Sequence, residues 1–452
     1  MKNSKLAILA CSAVLLAPAV SVRAEDSNKI IPGSAHEIQS SMDQEFAQEP
    51  EPETVLSELL QSSEVSLKLR NYYLNRDKPG SATDPIGWAQ GGILSHKMGR
   101  LGGYFSMNTE VMGSYPIYAP DKHTGTLLVE DTGRQITTLG VVNPKLTAFG
   151  NVLSLYRQRY NLPFVNEQDN RMLPNTFEGY TIGMPAATSK SFQYIAGYID
   201  QIKKRDSENF ISMSNAAGVS SIERGMFVGG ARAYFIPEWS LAAADFYVDD
   251  VVNTAYAETI YKMKFGEESD AIENTISGQY GYQSTVGDDL LTGDSFNTGF
   301  VGLQDAISYR GFVFKAALTA NDDSADVRSP WGSYPGYNSV IVEDFNRAGE
   351  VAWQVGLSYD LGKLGLDGFK LAAAFIQGNQ AVSESTGENI ADRNETDVTL
   401  DYRVGDDYLL KGLWVRLRSA TIDDDDAGTT QDFRVIVNYD IKLFGPEKKP
   451  VA

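Results

Sequence analysis

The sequence has almost no cysteine and no long apolar run beyond its first residues. Cys11 is the only cysteine among 452 residues, and it lies in the apolar N-terminal stretch. Disulfides and thiolate metal sites are therefore excluded from the rest of the chain. No later apolar run approaches the roughly 20 residues that a membrane helix requires. A membrane-spanning part must then be a closed β-barrel, since only helices and closed barrels satisfy every backbone group in lipid.

The chain also has too little positive charge for a nucleic-acid-binding protein. Its 39 Lys and Arg residues against 59 Asp and Glu residues give a formal net charge of -20, whereas phosphate binding requires a basic surface. The three histidines are His36, His96 and His123. His96 lies at a predicted strand end, where an exposed histidine explains it as well as a hydrolase role beside a serine does. With neither a glycine-rich phosphate loop nor a cluster of metal ligands, we expect no enzyme and no cofactor.

The first 24 residues have the pattern of a secretory signal peptide. Lys2 and Lys5 precede an apolar stretch over residues 6–22, and Val22-Arg23-Ala24 fits a small-residue cleavage site. The alternative is that Cys11 is the acylation site of a lipoprotein. Only about five apolar residues precede it, which is short for such a signal. We therefore expect export and cleavage after Ala24.

After an acidic segment the sequence takes on the two-residue alternation of β-strands. Residues 25–61 include EPEPE and show no such alternation, which predicts a flexible N-terminal extension. From residue 62, segments of about ten residues alternate apolar and polar side chains, with Gly, Asp, Asn and Pro between them. DVTLDYRV (397–404) is one such segment. The predicted organisation is a signal peptide (1–24), the extension (25–61), a transmembrane β-barrel (62–444) and a C-terminal tail (445–452).

The lengths of the connections favour a membrane barrel over a soluble β-sandwich. Long connections at 321–350 and 379–395 are followed by short ones at 362–368 and 405–412. Short turns at one end and long loops at the other are typical of outer-membrane barrels. A sandwich would also have amphipathic strands, but here the polar faces repeatedly carry Arg and Lys. We therefore predict an all-β, antiparallel transmembrane barrel in the outer membrane of a Gram-negative bacterium.

Two arginines in KGLWVRLRSA (411–420) indicate what faces the lumen. Leu413, Val415 and Leu417 share one strand face, while Arg416 and Arg418 share the other. A charge on the lipid face near the midplane costs roughly 2–4 kcal/mol. The apolar face must therefore meet lipid, and both arginines must point into the lumen.

Several stretches resemble the OprD family of outer-membrane porins. They are LKLRNYYLNRD (67–77), NLPFVNEQDNRMLPNTFEGYTI (161–182), SPWGSYPGYNSV with DFNRAGEVAW (329–353), GLWVRLRSAT (412–421) and RVIVNYDIKL (434–443). The resemblance covers most of the chain after residue 62. It implies about 18 strands, long extracellular loops of which two fold into the lumen, and diffusion of small solutes without energy coupling.

The strand phases predict a strip of basic side chains along the lumen. The first and last strands adjoin when a barrel closes, so basic residues of the same phase on neighbouring strands form one strip. We call it the basic strip; its members are Lys68, Arg70, Arg403, Arg416, Arg418, Arg434 and Lys442. The family resemblance implies that such a ladder passes a solute carboxylate from site to site. The alternative is that each charge is paired with a lumenal carboxylate, for which Asp401 and Asp440 are candidates.

The resemblance also implies acidic and carbonyl groups on two inward loops, which correspond to residues 159–175 and 321–350. The candidate constriction residues are Glu167, Asp169, Asn170, Arg171, Ser329, Tyr334, Tyr337 and Asp344. For each of them, a solvated side chain or one that braces its loop is the alternative. Arg157 and Arg159 share a face with Leu153 and Leu155, so their direction stays open.

The predicted function is a channel for small carboxylate-bearing solutes such as amino acids, peptides and organic acids. The alternative is a structural or adhesive barrel whose lumen is plugged. The expected partners are these solutes, outer-membrane lipid and lipopolysaccharide. The run DDDD (423–426) is predicted in the last long loop, where it could bind divalent cations among lipopolysaccharide phosphates, although a solvated loop explains it better. Monomer and trimer are both compatible with the sequence.

Overall fold

Strands account for most of the described chain. The computed structural model describes residue 59 and residues 62–81, 83–121, 123–185, 189–267, 270–405 and 408–446. The strands are β1 (Glu64–Asp77), β2 (Ile86–Leu101), β3 (Phe105–Tyr118), β4 (Ile136–Ala148), β5 (Asn151–Gln158), β6 (Thr176–Met184), β7 (Phe192–Lys203), β8 (Phe210–Ser212), β9 (Met226–Ile236), β10 (Trp239–Val248), β11 (Val252–Phe265), β12 (Ile272–Ser284), β13 (Asn297–Tyr309), β14 (Phe312–Asn321), β15 (Val351–Asp360), β16 (Phe369–Asn379), β17 (Arg393–Arg403), β18 (Leu413–Asp424) and β19 (Gly428–Phe444). A short helix, α1 (Met213–Ala216), follows β8. The predicted signal peptide, nearly all of the extension and most of the tail lie outside the described residues.

Eighteen of these strands close into one antiparallel barrel. Consecutive strands pair along the chain, and β1 pairs with β19 to close the ring. β7 pairs directly with β9, while the three-residue β8 adds only to the end of β7. The predicted barrel of about 18 strands is confirmed, with one extra short strand. No helix in the described part of the chain is long and apolar enough to cross a membrane.

Side chains alternate between the outer surface and the lumen as the sequence predicts. On β15, Trp353, Val355 and Leu357 are exposed on the outside, while Gln354 and Ser358 are buried inside. Aromatic pairs lie on the outer surface beside the short turns, as in the contact of Phe312 with Tyr359, whose ring centroids are 4.0 Å apart. The similar pairs are Phe235 with Trp239 and Phe369 with Tyr402. Such rings occupy the membrane interface, where one edge meets lipid and the other meets water.

Tight turns close one end of the barrel, and the longest connections lie at the other end. Phe149-Gly150 and Arg310-Gly311 link neighbouring strands through two residues with positive φ, between 47° and 87°. That geometry matches the twist of a hairpin, and glycine adopts it without strain. The connections 159–175 and 322–350 lie at the opposite end, which faces the exterior in outer-membrane barrels. We call them the first and the second inward loop.

The acidic run at 423–426 does not lie in a long loop, contrary to the sequence prediction. β18 ends at Asp424 and β19 begins at Gly428, so the run spans a strand end and a tight turn. The Asp424 carboxylate accepts hydrogen bonds from the backbone N–H groups of Asp426 and Ala427, at 3.0 and 2.8 Å. This local bonding stabilises a turn in place of a loop. In the described residues no three His, Cys, Asp or Glu side chains are placed to hold a metal ion.

Both inward loops fold back into the barrel and pack against its wall. Phe164 of the first loop makes edge-on contacts with Phe246, Tyr256 and Phe300 of β10, β11 and β13, with centroids 6.3–6.5 Å apart. Trp331 of the second loop donates its indole N–H to a carbonyl of α1, at 2.9 Å. These residues belong to one buried cluster that joins loops and strands. We call the β10–β13 side of the lumen the aromatic side.

Candidate functional site

The basic strip lies on four neighbouring strands. β17, β18, β19 and β1 pair in that order. Arg418 lies directly opposite Arg434 across the β18–β19 ladder, and Arg416 lies opposite Asp401 across the β17–β18 ladder. Residues directly opposite one another in a sheet share a face. The strip is therefore continuous along the lumen side of the wall, with a carboxylate at its edge.

Lys68 and Arg70 hold the first inward loop against the wall. Lys68 Nζ lies 2.8 Å from Asp169 Oδ2, and Arg70 Nη1 lies 2.6 Å from Asp169 Oδ1. Arg70 also donates to Asn438 Oδ1 at 2.7 Å and to the carbonyl of Arg171. Burial alone would raise the pKa of Asp169, but the attraction of Arg70 and Lys68 outweighs it and holds this pKa well below its usual range. The loop is thus fixed to the strip by a carboxylate that stays ionised.

Arg416 has a carboxylate partner on the neighbouring strand. Its Nε and Nη2 atoms donate to the two oxygens of Asp401 at 2.6 and 2.8 Å. This is the bidentate geometry that a guanidinium and a carboxylate prefer. Asp401 is only 1% exposed, so removal of the arginine would leave a buried carboxylate without the guanidinium to which both of its oxygens are bonded.

The short-turn end of the strip is the more exposed end. The Trp414 ring lies between two guanidiniums, with its centroid 4.5 Å from Arg416 and 4.7 Å from Arg403. Arg403 and Lys442 are both exposed, and Lys442 donates to the carbonyl of Pro446. Water therefore already reaches the basic groups at the short-turn end of the strip.

Arg418 and Arg434 form the buried middle of the strip. Arg434 pairs with Asp432 at 2.5 Å and donates to the carbonyl of Ile341 at 3.0 Å. Arg418 makes one long hydrogen bond to Thr399, at 3.4 Å, and its buried Nη2 has no partner in the described structure. A buried guanidinium edge without a partner has binding capacity that the protein itself leaves unused.

Two carboxylates of β17 hold the tip of the second inward loop over this region. Glu395 accepts hydrogen bonds from the N–H groups of Val342 and Glu343, at 2.9 and 2.8 Å. Asp397 accepts the N–H of Ile341 at 3.3 Å. The loop tip is therefore attached by its backbone to the wall beside Arg418 and Arg434.

The two candidate tyrosines of the second inward loop brace that loop. Tyr334 packs against Phe164 with centroids 6.2 Å apart and is 3% exposed. Tyr337 donates its hydroxyl to Glu258 at 3.2 Å and is fully buried. Both side chains pack within the loop and against the wall, and neither ring is exposed to the lumen.

The other two candidates of this loop also bond within it. The Ser329 hydroxyl donates to the carbonyl of Gly332 at 3.1 Å. Asp344 accepts a hydrogen bond from Ser339 at 2.6 Å. Burial raises the pKa of Asp344 above its usual value, and the nearby negative charge of Glu343 adds to the effect. Both contacts shape the loop more directly than they would hold a solute.

The strand β5 ends between Arg157 and Arg159, which settles their directions. Arg157 Nε donates to Glu178 at 2.7 Å on the outward face of the barrel. Arg159 instead lies 2.6 Å from Glu110 and 2.8 Å from Glu167 inside the lumen. Two-residue alternation would place both arginines on one face. It does not hold for Arg159, because β5 ends at Gln158 and Arg159 lies outside the strand. Arg159 is thus a lumenal cation that the alternation could not identify.

Arg205 is another lumenal cation that the sequence analysis did not identify. It lies between β7 and β8 and donates to the side-chain oxygen of Asn170, which is itself exposed. Arg171, next to Asn170, is buried and donates its Nε to the carbonyl of Thr126 at 3.1 Å. The run KKRD (203–206) shows that the connection between β7 and β8 is basic, but only the fold shows that Arg205 contacts the first inward loop.

An 18-stranded barrel with charged inner walls and inward loops defines a channel of the outer membrane. The model of the OprD outer-membrane porin family matches residues 57–443. The chain therefore belongs to the OprD family of outer-membrane porins. Like them, it is a passive channel for small solutes in the Gram-negative outer membrane and not an enzyme.

Individual proteins support this assignment. The porin-like protein GalP of Pseudomonas putida is 24% identical over 84% of this chain and 92% of its own length. Porin D of Pseudomonas aeruginosa is 22% identical over 85% of this chain and 92% of its own length. The crystal structure of Pseudomonas aeruginosa OpdK with vanillate superposes with a TM-score of 0.76, at 22% identity, over 85% of this chain and 100% of OpdK. The fold is that of the solved porins.

Proposed function

We propose that this porin conducts small carboxylate-bearing solutes, such as amino acids, peptides and organic acids, along the basic strip. The observation that carries the proposal is the Arg418–Arg434 pair in the buried middle of the strip. Arg418 Nη2 has no partner there. A guanidinium stays charged at all relevant pH values and binds a carboxylate through two parallel hydrogen bonds. A carboxylate is thus the group that complements this edge.

The distribution of exposure along the strip suits passage more than tight binding. Arg403 and Lys442, the two exposed residues at the short-turn end, offer solvated contacts. Arg418 and Arg434 offer a desolvated contact further along. Conduction requires sites that attract a solute without retaining it, and several similar cations in sequence meet that requirement.

A structural relative gives chemical support. OpdK was crystallised with vanillate, an aromatic carboxylate. This chain shares its fold and carries cations on one lumenal wall that suit the same functional group.

The alternative is a structural or adhesive barrel with a plugged lumen. The observation that favours it is the buried aromatic cluster, in which both inward loops pack against β10, β11 and β13. The basic side is not filled by that cluster. Conductance of the purified protein in a planar bilayer decides between the two functions, since a plugged barrel gives no channels.

Arg418→Gln is the sharpest test of carboxylate guidance. Arg418 lies within electrostatic range of Asp397 but makes no hydrogen bond to a carboxylate in the described structure, so its removal breaks no direct ion pair. We expect the flux of carboxylate solutes into liposomes to fall by roughly threefold to tenfold. This is the effect of losing one charge-assisted hydrogen bond. Neutral sugars of similar size should keep their flux. Conductance should also depend less on salt, because fewer fixed charges remain to be screened.

The matched control is Arg134→Gln, which removes an exposed arginine from the connection between β3 and β4. It should change neither flux. An equal fall for carboxylates and neutral sugars in Arg418→Gln would contradict the proposed guidance by charge.

A further inference from the structure

Two arginines on the connections near the strip lack a carboxylate partner. Arg171 makes hydrogen bonds to the carbonyls of Thr126 and Asn170, at 3.1 and 3.0 Å, and its side chain is buried. Arg205 donates to the side chain of Asn170. Among the described residues neither forms an ion pair, although Asp206 lies within electrostatic range of Arg205. We call Arg171 and Arg205 the loop arginines.

The loop arginines lie close to the middle of the basic strip. Arg434 is within electrostatic range of both. Burial lowers the pKa of Arg171 well below its usual value, and the repulsion of Arg434 and of Arg205 lowers it further. Burial likewise lowers the pKa of Arg205 to about 10. In both cases burial is the largest cause, and the repulsion of Arg434 adds to it.

The tyrosine Tyr72 marks the point around which these cations gather. Its hydroxyl donates to the carbonyl of Asn170 at 3.2 Å. Three arginines lie within electrostatic range of this hydroxyl: Arg171 on the loop, and Arg418 and Arg434 on the wall. Asp432 is the nearby carboxylate, and it already pairs with Arg434 and Arg76. Around the Tyr72 hydroxyl, the arginines of the loop and of the wall therefore outnumber the nearby carboxylate.

We propose that this cluster is a two-point subsite, and that the channel selects short dicarboxylates over monocarboxylates. The proposal rests on the proposed function, because it assigns one solute carboxylate to Arg418 and Arg434 on the wall. The second carboxylate binds the loop arginines. A monocarboxylate leaves one group of buried cations without a counter-charge, and such charges are costly to leave unpaired.

The described carboxylates of the lumen wall and of the first inward loop are bonded to other groups and do not pair with the loop arginines. Asp169 is held by Lys68 and Arg70. Asp401 is held by Arg416. Asp397 lies within electrostatic range of Arg418, but its bonded oxygen accepts a backbone N–H of the second inward loop. Asp206 and Asp344 lie within electrostatic range of Arg205, but the hydrogen bond of its guanidinium goes to Asn170 and not to a carboxylate.

The test compares succinate with butyrate, which share a four-carbon chain and differ by one carboxylate. Flux of each into liposomes that contain the full-length protein is measured at about pH 7.5, where both carboxyls of succinate are ionised. We expect succinate to exceed butyrate in the wild type. Arg171→Gln and Arg205→Gln should each lower the ratio of succinate to butyrate flux, by roughly threefold to tenfold. Arg134→Gln is the matched control and should leave the ratio unchanged.

Two further variants distinguish the effect of charge from that of packing, and the contribution of the loop arginines from that of the wall arginines. Arg171→Lys keeps the charge and should retain most of the wild-type ratio. Arg418→Gln should lower the flux of both solutes, since each uses the wall. Arg205 is only partly buried, so Arg205→Gln tests the proposal without disturbing a packed side chain. Heat-modifiable migration on gels confirms that each variant is folded.

The outcomes distinguish this inference from the proposed function. If butyrate exceeds a neutral solute of its size but succinate does not exceed butyrate, the two-point subsite is wrong and carboxylate conduction stands. If butyrate passes no faster than the neutral solute, carboxylate conduction itself is wrong. Equal loss of the ratio in Arg171→Lys and Arg171→Gln would show that Arg171 acts by packing, and would overturn its assignment as a ligand.

Discussion

On the aromatic side of the lumen, Phe164 packs against Phe246, Tyr256 and Phe300 as in the core of a soluble protein. On the opposite side, β17, β18, β19 and β1 present arginines and lysines, and the loops approach them through hydrogen bonds and ion pairs. Both sides are built from strands with the same two-residue alternation. The two sides therefore attach the loops differently: the aromatic side packs them through buried rings, and the basic side binds them through ion pairs and hydrogen bonds.

Phe164→Ala should have the largest effect, because it removes the ring on which the aromatic side is centred. Loss of a fully buried phenylalanine costs about 3–5 kcal/mol. The barrel itself should still close, since its ladders do not depend on this ring. We expect the first inward loop to detach, single-channel conductance to rise and charge selectivity to fall.

Single-channel recording in planar bilayers measures this change. Phe149→Ala is the control, because Phe149 is fully exposed in a two-residue turn. Unchanged conductance in Phe164→Ala would mean that the aromatic side does not fix the loops.

Arg416→Gln should have the next largest effect, on stability. It strands Asp401, which is buried and bonded to Arg416 through both oxygens. Breaking a buried ion pair from one side costs about 3–5 kcal/mol, and solvation in the lumen should bring this case to the lower end. The measurement is the temperature at which the protein loses its compact form on gels.

A second substitution sharpens this comparison of the two sides. Arg416→Gln with Asp401→Asn removes both charges and should recover most of the lost stability. Arg418→Gln breaks no direct ion pair, since Asp397 is within electrostatic range of Arg418 but is not bonded to it, and it should cost less than Arg416→Gln. Equal losses for the two single variants would show that pairing with Asp401 does not set the stability of the basic side.

Asp169→Asn should have a smaller effect, in the direction of greater anion preference. The change frees Lys68 and Arg70 from their carboxylate, so the lumen gains positive potential. We expect the anion-to-cation permeability ratio to rise about twofold, as a partly solvated charge pair is worth little more than that. Reversal potentials in a salt gradient measure the ratio, and a fall in the ratio would contradict the assignment.

The same carboxylate predicts a flat pH response. The pKa of Asp169 lies below its usual value in the folded protein, so the stabilisation by its ion pairs is fully present above the ordinary carboxyl pKa. That stabilisation is lost only when the pH falls through the lowered folded pKa. The contribution of Asp169, measured as the difference in permeability ratio between the wild type and Asp169→Asn, should therefore stay constant between about pH 8 and pH 5. A marked change within that window would mean that another group holds the loop.

Much of the fold, and one wall of the site, could be predicted from the sequence. Two-residue alternation is a local pattern, and on β18 it places Arg416 and Arg418 inward because Leu413, Val415 and Leu417 must meet lipid. Closure of the barrel then brings β19 beside β1. The alternation of turn lengths follows from the same local signals, whereas the count of about 18 strands comes from the family resemblance.

The loops could not be predicted in this way, because their contacts join residues far apart in the chain. Asp169 meets Arg70 at a separation of 99 residues, and Glu395 bonds to Val342 across 53. Tyr334 and Tyr337 have the composition of lumen-lining residues, yet both are buried in loop packing. Alternation also ends where a strand ends, as Arg157 and Arg159 show. Long-range packing decides these positions.

Deletion of residues 25–61 should have the smallest effect of all on the barrel. β1 begins at Glu64, and both of its edges are paired, with β2 on one side and β19 on the other. The closing ladder runs from Val65 opposite Phe444 to Asp77 opposite Gln431, so it does not need the preceding segment. The truncated protein should still fold into detergent, migrate faster on gels unheated than boiled, and form channels with wild-type conductance. A longer deletion, of residues 25–69, is the contrasting variant: it removes nearly half of β1 and should abolish closure. If the shorter deletion alone prevents folding or changes conductance, the acidic segment is part of the barrel or enters its lumen, and the boundary at residue 62 is wrong.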